Sequence, residues 1–186
     1  MLGLALAVAP AEAAGPVREP VPGFVDGTKL AALAGDDAVS VEVTLGKTLL
    51  KPILRADPEL EALAGGLESI YALVLEIDSA SVAEQVVREI REIESRLIGR
   101  GWERVARVRE RDEEVKVLVL VEDEKTYSGL VVMVVDRSGT PAEIVFANIA
   151  GTLDLAAIER LGERLDVPGL SDITIEGTEQ EKREEP

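Results

Sequence analysis

The sequence predicts an α+β fold: a mainly antiparallel sheet with a four-strand meander in the C-terminal half, and helices packed on it. Three observations predict it. SVEVTLG at 40–46 alternates, setting Val39, Val41, Val43 and Leu45 on one side of a strand and Ser40, Glu42 and Thr44 on the other. After Ser81, Val82, Val86, Ile90, Ile93 and Leu97 recur at helical spacing. From Trp102 to Ala150, four strand-like runs are separated only by the polar breaks RERDEE, EDEKT and DRSGTP, as successive hairpins would be.

The elements follow in order. MLGLALAVAPAEAAG reads as an export signal over residues 1–13, with Ala11 and Ala13 at an A-x-A cleavage pattern, although no basic residue precedes Arg18. Residues 14–23 hold three prolines and read as a linker, and a single domain is expected over 24–176. The alternating strand at 40–46 should have one wet face. Thr48 and then Asp57-Pro58 signal two short helices, stopped by Gly65-Gly66. ESIYALVLEI at 68–77 is apolar on both alternations and predicts a central strand.

Ser81 and Glu84 form a capping-box pattern for the long helix, and Gly99 and Gly101 end it. Glu84, Arg88, Glu92 and Arg96 alternate in sign along its solvated face. Within the meander, Val115, Val117, Val119 and Val121 oppose Leu118 and Leu120, which predicts an interior strand, whereas 102–109 alternates poorly. A last helix is expected from near Asp154, with Leu155, Ile158, Leu161 and Leu165 on one stripe, followed by a short strand at 172–176. Residues 177–186 are charged, have nothing to bury and are expected to be disordered.

Composition narrows the chemistry. With 46% hydrophobic residues among 186 the chain can bury a core, and a formal net charge of −16 opposes nucleic-acid phosphates or an anionic membrane surface as the main partner. Cysteine and histidine are both absent, which removes thiolate nucleophiles, disulfides, the common zinc sites and the histidine-based dyads and triads.

The remaining candidates each have a plainer reading. Asp112, Glu113 and Glu114 share one end of the expected meander with Asp136, where a hard cation would fit, but no calcium-loop spacing is present and ordinary solvated turn acids are the expectation. Paired carboxylates of glycosidase type lack aromatic platforms. A serine nucleophile would need a lysine base from Lys29, Lys47, Lys51, Lys116, Lys125 or Lys182, without a recognised motif around it. TLGKT and VDRSGT lack the phosphate-loop spacing and read as turns. Trp102 is expected to anchor the helix-to-strand junction in the core, and Asn148 to satisfy turn backbone before Gly151. No catalytic, cofactor-binding or metal residue is assigned, and no cofactor is expected.

Five segments carry a family resemblance: PGFVD at 22–26, LEALAGGLESIYALVLEI at 60–77, GWERVARVRERDEEVKVLV at 101–119, SGLVVMVVD at 128–136 and EIVFANIAGTLDLAAIERLGERL at 143–165. On these the chain resembles a bacterial family known only as domain of unknown function 4252, over about residues 22–166. The resemblance implies a small exported or envelope-associated protein and transfers no catalytic residue. Some members of the family look like lipoproteins, but this chain lacks the cysteine a covalent lipid anchor requires.

The expected function is therefore that of a non-enzymatic exported protein, periplasmic or secreted, acting by protein–protein interaction as an adaptor or regulator of an unknown envelope protein. No nucleic acid, no membrane span and no lipid anchor are expected. A small-ligand or lipid carrier with a pocket between sheet and helices is the alternative, and a histidine-free hydrolase is a third class.

Overall fold

The computed structural model describes residues 21–36, 38–56 and 65–154. Among these the order is α1 (Thr28–Ala34), β1 (Val39–Gly46), α2 (Lys47–Arg55), β2 (Leu67–Ile77), α3 (Ala80–Ile98), β3 (Trp102–Arg109), β4 (Glu113–Val121), β5 (Thr126–Asp136) and β6 (Ala142–Asp154). The six strands form one sheet in the order β1-β2-β6-β5-β4-β3, with every neighbouring pair antiparallel. The fold is α+β and mainly sheet. β2 is inserted between β1 and β6, which leaves β1 and β3 as the edges.

Because successive side chains point to opposite sides of a strand, the sheet has two faces. One carries Leu73, Leu75 and Ile77 of β2, Leu118 of β4, Val131 and Met133 of β5, and Ile144 and Phe146 of β6. Leu30 of α1 and Val86, Ile90, Ile93 and Leu97 of α3 close over it. Burying those four α3 side chains is worth roughly 6–12 kcal/mol before ordering costs, which is why this helix holds without a side-chain cap. The opposite face carries Ile70, Val117, Val119, Leu130, Val132 and Ile149, and α2 contributes Leu50 and Leu54 to it.

Several expectations need correction. The valine side of β1 was expected to be the dry one, yet Val39, Val41 and Val43 are 63%, 56% and 41% exposed. β1 lies at the sheet edge, and α2 turns back from its Gly46 end, so the helix does not roof the Val39 end. The Ser81–Glu84 capping box does not form: α3 starts at Ala80, Ser79 is its N-cap residue without a side-chain cap bond, and the Ser79 and Ser81 hydroxyls lie 3.1 Å apart. α1 was not anticipated. The last strand runs through Gly151 to Asp154 rather than ending at Ala150. The expected helices after Asp57-Pro58 and after Asp154, the strand at 172–176, residues 1–13 and the tail at 177–186 lie outside the described residues.

Candidate functional site

The register builds a feature that no single segment shows. Val41 pairs with Val74, Val74 with Val145, Val145 with Val134, Val134 with Val115, and Val115 with Val108. A row of valines thus crosses all six strands on the α2 face. The next row is Val43, Ala72, Ala147, Val132, Val117 and Ala106. On the other side of the valines, Glu76, Glu143, Asp136 and Glu113 stand side by side as an acidic rim. Toward β4 and β5 the apolar rows are buried, while toward β1 they open to solvent.

The two edges are treated differently. β3 carries a bulge: Arg104 pairs with Leu118 and Ala106 with Val117, leaving Val105 as the extra residue. The bulge shifts the alternation by one, so Trp102, Arg104, Arg107 and Arg109 all share the α3 side. This explains why 102–109 alternates poorly as a sequence. β1 has neither bulge, proline nor lysine among Val39–Gly46, and among the described residues no strand pairs with its outer backbone edge over these eight residues.

Under the β3 arginines lies a buried ionic cluster. Lys116, only 3% exposed, places Nζ 2.8 Å from Glu94 Oε2 of α3, and Arg104 Nε forms an ion pair with Glu94 Oε1 at 2.9 Å. Glu114 Oε1 accepts from Arg107 Nε and Nη2 at 3.0 and 2.7 Å and from Arg109 Nη2 at 2.9 Å. Burial alone would raise the Glu114 carboxyl, but the bonds from Arg107 and Arg109 and the charges of Lys116 and Arg109 outweigh it and bring it down to about 2. On the α1 side of α3, buried Glu89 pairs with Lys29 and with Arg96 Nη2 at 2.8 Å. Burial raises that carboxyl too, and the two cations more than reverse the effect.

The chain entering the domain is pinned to the sheet centre. Asn148, fully buried on β6, accepts from the Val25 amide at 2.9 Å and donates to the carbonyls of Gly23 at 2.9 Å and Leu130 at 3.1 Å. It does satisfy turn backbone, but that of the turn at 21–24 in this incoming segment and not of one before Gly151. Trp102 is buried in the core, as its position predicted, and its ring lies so close over Gly129 that a Cβ there would come within 2.6 Å of it. Phe24, Ile93, Leu97 and Trp102, with Arg96 and Arg100, line a recess of about 320 Å³.

The other candidates separate. Glu113 and Asp136 are paired across strands and the Arg137 amide donates to the Asp112 carbonyl, so the turns do meet. Glu114 points to the arginines instead. Among the described residues no group of three or more acids is arranged to hold a metal ion. Lys29, Lys47 and Lys116 pair with Glu89, Glu68 and Glu94 respectively. Among the described residues, none of Lys29, Lys47, Lys51, Lys116 and Lys125 bonds a serine hydroxyl, and Lys182 lies outside them. TLGKT is the β1–α2 junction, and in VDRSGT the Ser138 amide donates to Asp136 Oδ1 at 2.8 Å in a side-chain-closed turn. No described helix is long and apolar enough to cross a membrane.

No curated protein and no solved structure matches the chain. A family model does match, over residues 34–161, which takes in every described strand and the two longer described helices. The chain therefore belongs to the family described as Domain of unknown function (DUF4252).

Proposed function

We propose that this is a non-enzymatic exported protein, periplasmic or secreted, that acts as an adaptor or regulator by adding an extended segment of a partner protein to the free edge of β1. The observation that carries the reading is the exposure of Val39, Val41 and Val43, at 63%, 56% and 41%, on an edge strand whose outer side no described strand pairs. An added strand would continue the valine row on one side. Its other side would meet Glu42, while at its end the row of acids stops at Glu76 of β2, behind Val39. The partner segment is therefore apolar on alternate residues and basic or neutral between them, which also suits a chain of net charge −16. The apolar N-terminal run, read as a leader over 1–13, and the family resemblance support export.

The test is crosslinking from a photoreactive residue at Ser40, beside the exposed valines, in cells making the full chain. Capture of one envelope protein through such a segment supports the reading. A crosslink solely to a second copy, or none at all, overturns it. The recess beside Phe24 and Trp102 favours a second reading, carriage of a small amphipathic ligand. A saturable apolar fluorescent probe displaced by Trp102→Ala would support that instead.

A further inference from the structure

On the α3 side of the other edge, the ionic cluster described above has more positive charge than its structural role requires. Glu94 and Glu114 are two carboxylates, and Arg104, Arg107, Arg109 and Lys116 are four cations bound to them. Arg91, exposed on α3, makes no ion pair among the described residues and faces the same recess, which measures about 290 Å³ and is lined by Arg91, Glu94, Ser95, Ile98, Arg104 and Arg107. Five cations against two carboxylates leave three positive charges in one place on a chain of net charge −16. If the arginines served only to neutralise the buried acids, the two counts would balance.

We infer that this recess between α3 and β3 is a binding site for an oxyanion, a phosphate or a carboxylate, gripped by Arg91, Arg104 and Arg107. Arg104 approaches Glu94 through Nε, at 2.9 Å in an ion pair, and among the described residues no ion pair is made by its two terminal nitrogens, whose fork geometry matches two oxygens of one anion. The carboxylates below hold Arg104 and Arg107 in place, so their rotamer freedom is lost on folding and not again on binding. Ser95 also lines the wall. Ile98, 43% exposed, gives an apolar flank for whatever carries the anion. The β3 bulge makes the site possible, because without it Arg107 would point to the valine face.

Calorimetric titration of the full chain with pyrophosphate and, separately, with citrate at constant ionic strength tests this. Saturable one-to-one binding of either anion is expected, weakened about tenfold by Arg91→Gln and unchanged by Arg88→Gln, one turn away on the same helix. Arg91 makes no ion pair among the described residues, so its replacement removes none of the bonds that hold the described fold. Tighter pyrophosphate binding assigns a phosphate ligand, and tighter citrate binding a carboxylate. The inference fails if neither anion saturates, or if Arg88→Gln and Arg91→Gln weaken binding equally, since that is diffuse charge attraction and not a site.

Discussion

Asn148 Nδ2 donates to the Gly23 carbonyl at 2.9 Å, joining residues 125 positions apart. Together with the bonds to Val25 and Leu130, this one side chain ties the incoming segment to two central strands. Asn148→Ala strands a buried amide and two carbonyls, and should cost about 3 kcal/mol in urea unfolding. Exchange of the Val25 amide should accelerate more than that of β5 amides.

Gly23 lies where no other residue fits. Its φ is +78° and a Cβ would come within 1.8 Å of the Ser128 carbonyl oxygen. Gly35 has a similar φ of +70° with nothing within 4 Å of its Cβ position. Gly23→Ala should therefore lower stability by more than about 2 kcal/mol, and Gly35→Ala by about 1 kcal/mol, the cost of conformation alone. Equal losses in thermal unfolding would mean that the contact with Ser128 does not matter.

Glu114 makes stability depend on acidity in a stated direction. Its folded pKa of about 2 lies below the ordinary 4.5, so its contribution is complete above pH 4.5 and is lost as the pH falls toward 2. The contribution is at most about 3 kcal/mol. Urea midpoints measured between pH 7 and pH 2.5 should fall for the natural chain, and Glu114→Gln should flatten part of that fall while lowering stability at pH 7.

Position along the apolar rows decides tolerance. Val41 is 56% exposed, whereas Val117, on the same face of an interior strand, has no exposed surface. Val41→Lys should stay within about 0.5 kcal/mol of the natural chain and lose the proposed partner, while Val117→Lys should unfold it, at a cost above about 4 kcal/mol. Circular dichroism melts separate the two.

What was legible in the sequence followed from local periodicity. The alternation of β1, the doubly apolar β2 and the stripe of α3 all read correctly as elements, because each expresses a repeat within its own residues. α1 was missed because TKLAALA is seven residues long with no side-chain cap, and Leu30 and Ala34 become informative only once α3 lies beside them. β3 was blurred because Val105 breaks the alternation that a reader relies on. Alternation revealed an apolar side of β1 but could not say whether anything covers it, since that depends on how far α2 reaches. The candidate sites were the least visible. Glu114 read as a solvated turn acid, Lys116 as one of six possible bases, and Glu94 was not singled out; only strand register and the placement of α3 bring them together. The valine row draws one residue from each strand, so no window of sequence contains it.

The insertion of β2 between β1 and β6 also dictates an order of events. Leu73 pairs with Phe146, so the second hydrogen-bonded edge of β2 waits for a partner made about seventy residues later. Contacts of such long range close slowly. As the chain is synthesised, its first half can form little more than the β1–β2 pair and α3, and the sheet is completed only when β6 arrives between β2 and β5. The six-stranded sheet thus cannot close before its last described strand has been made.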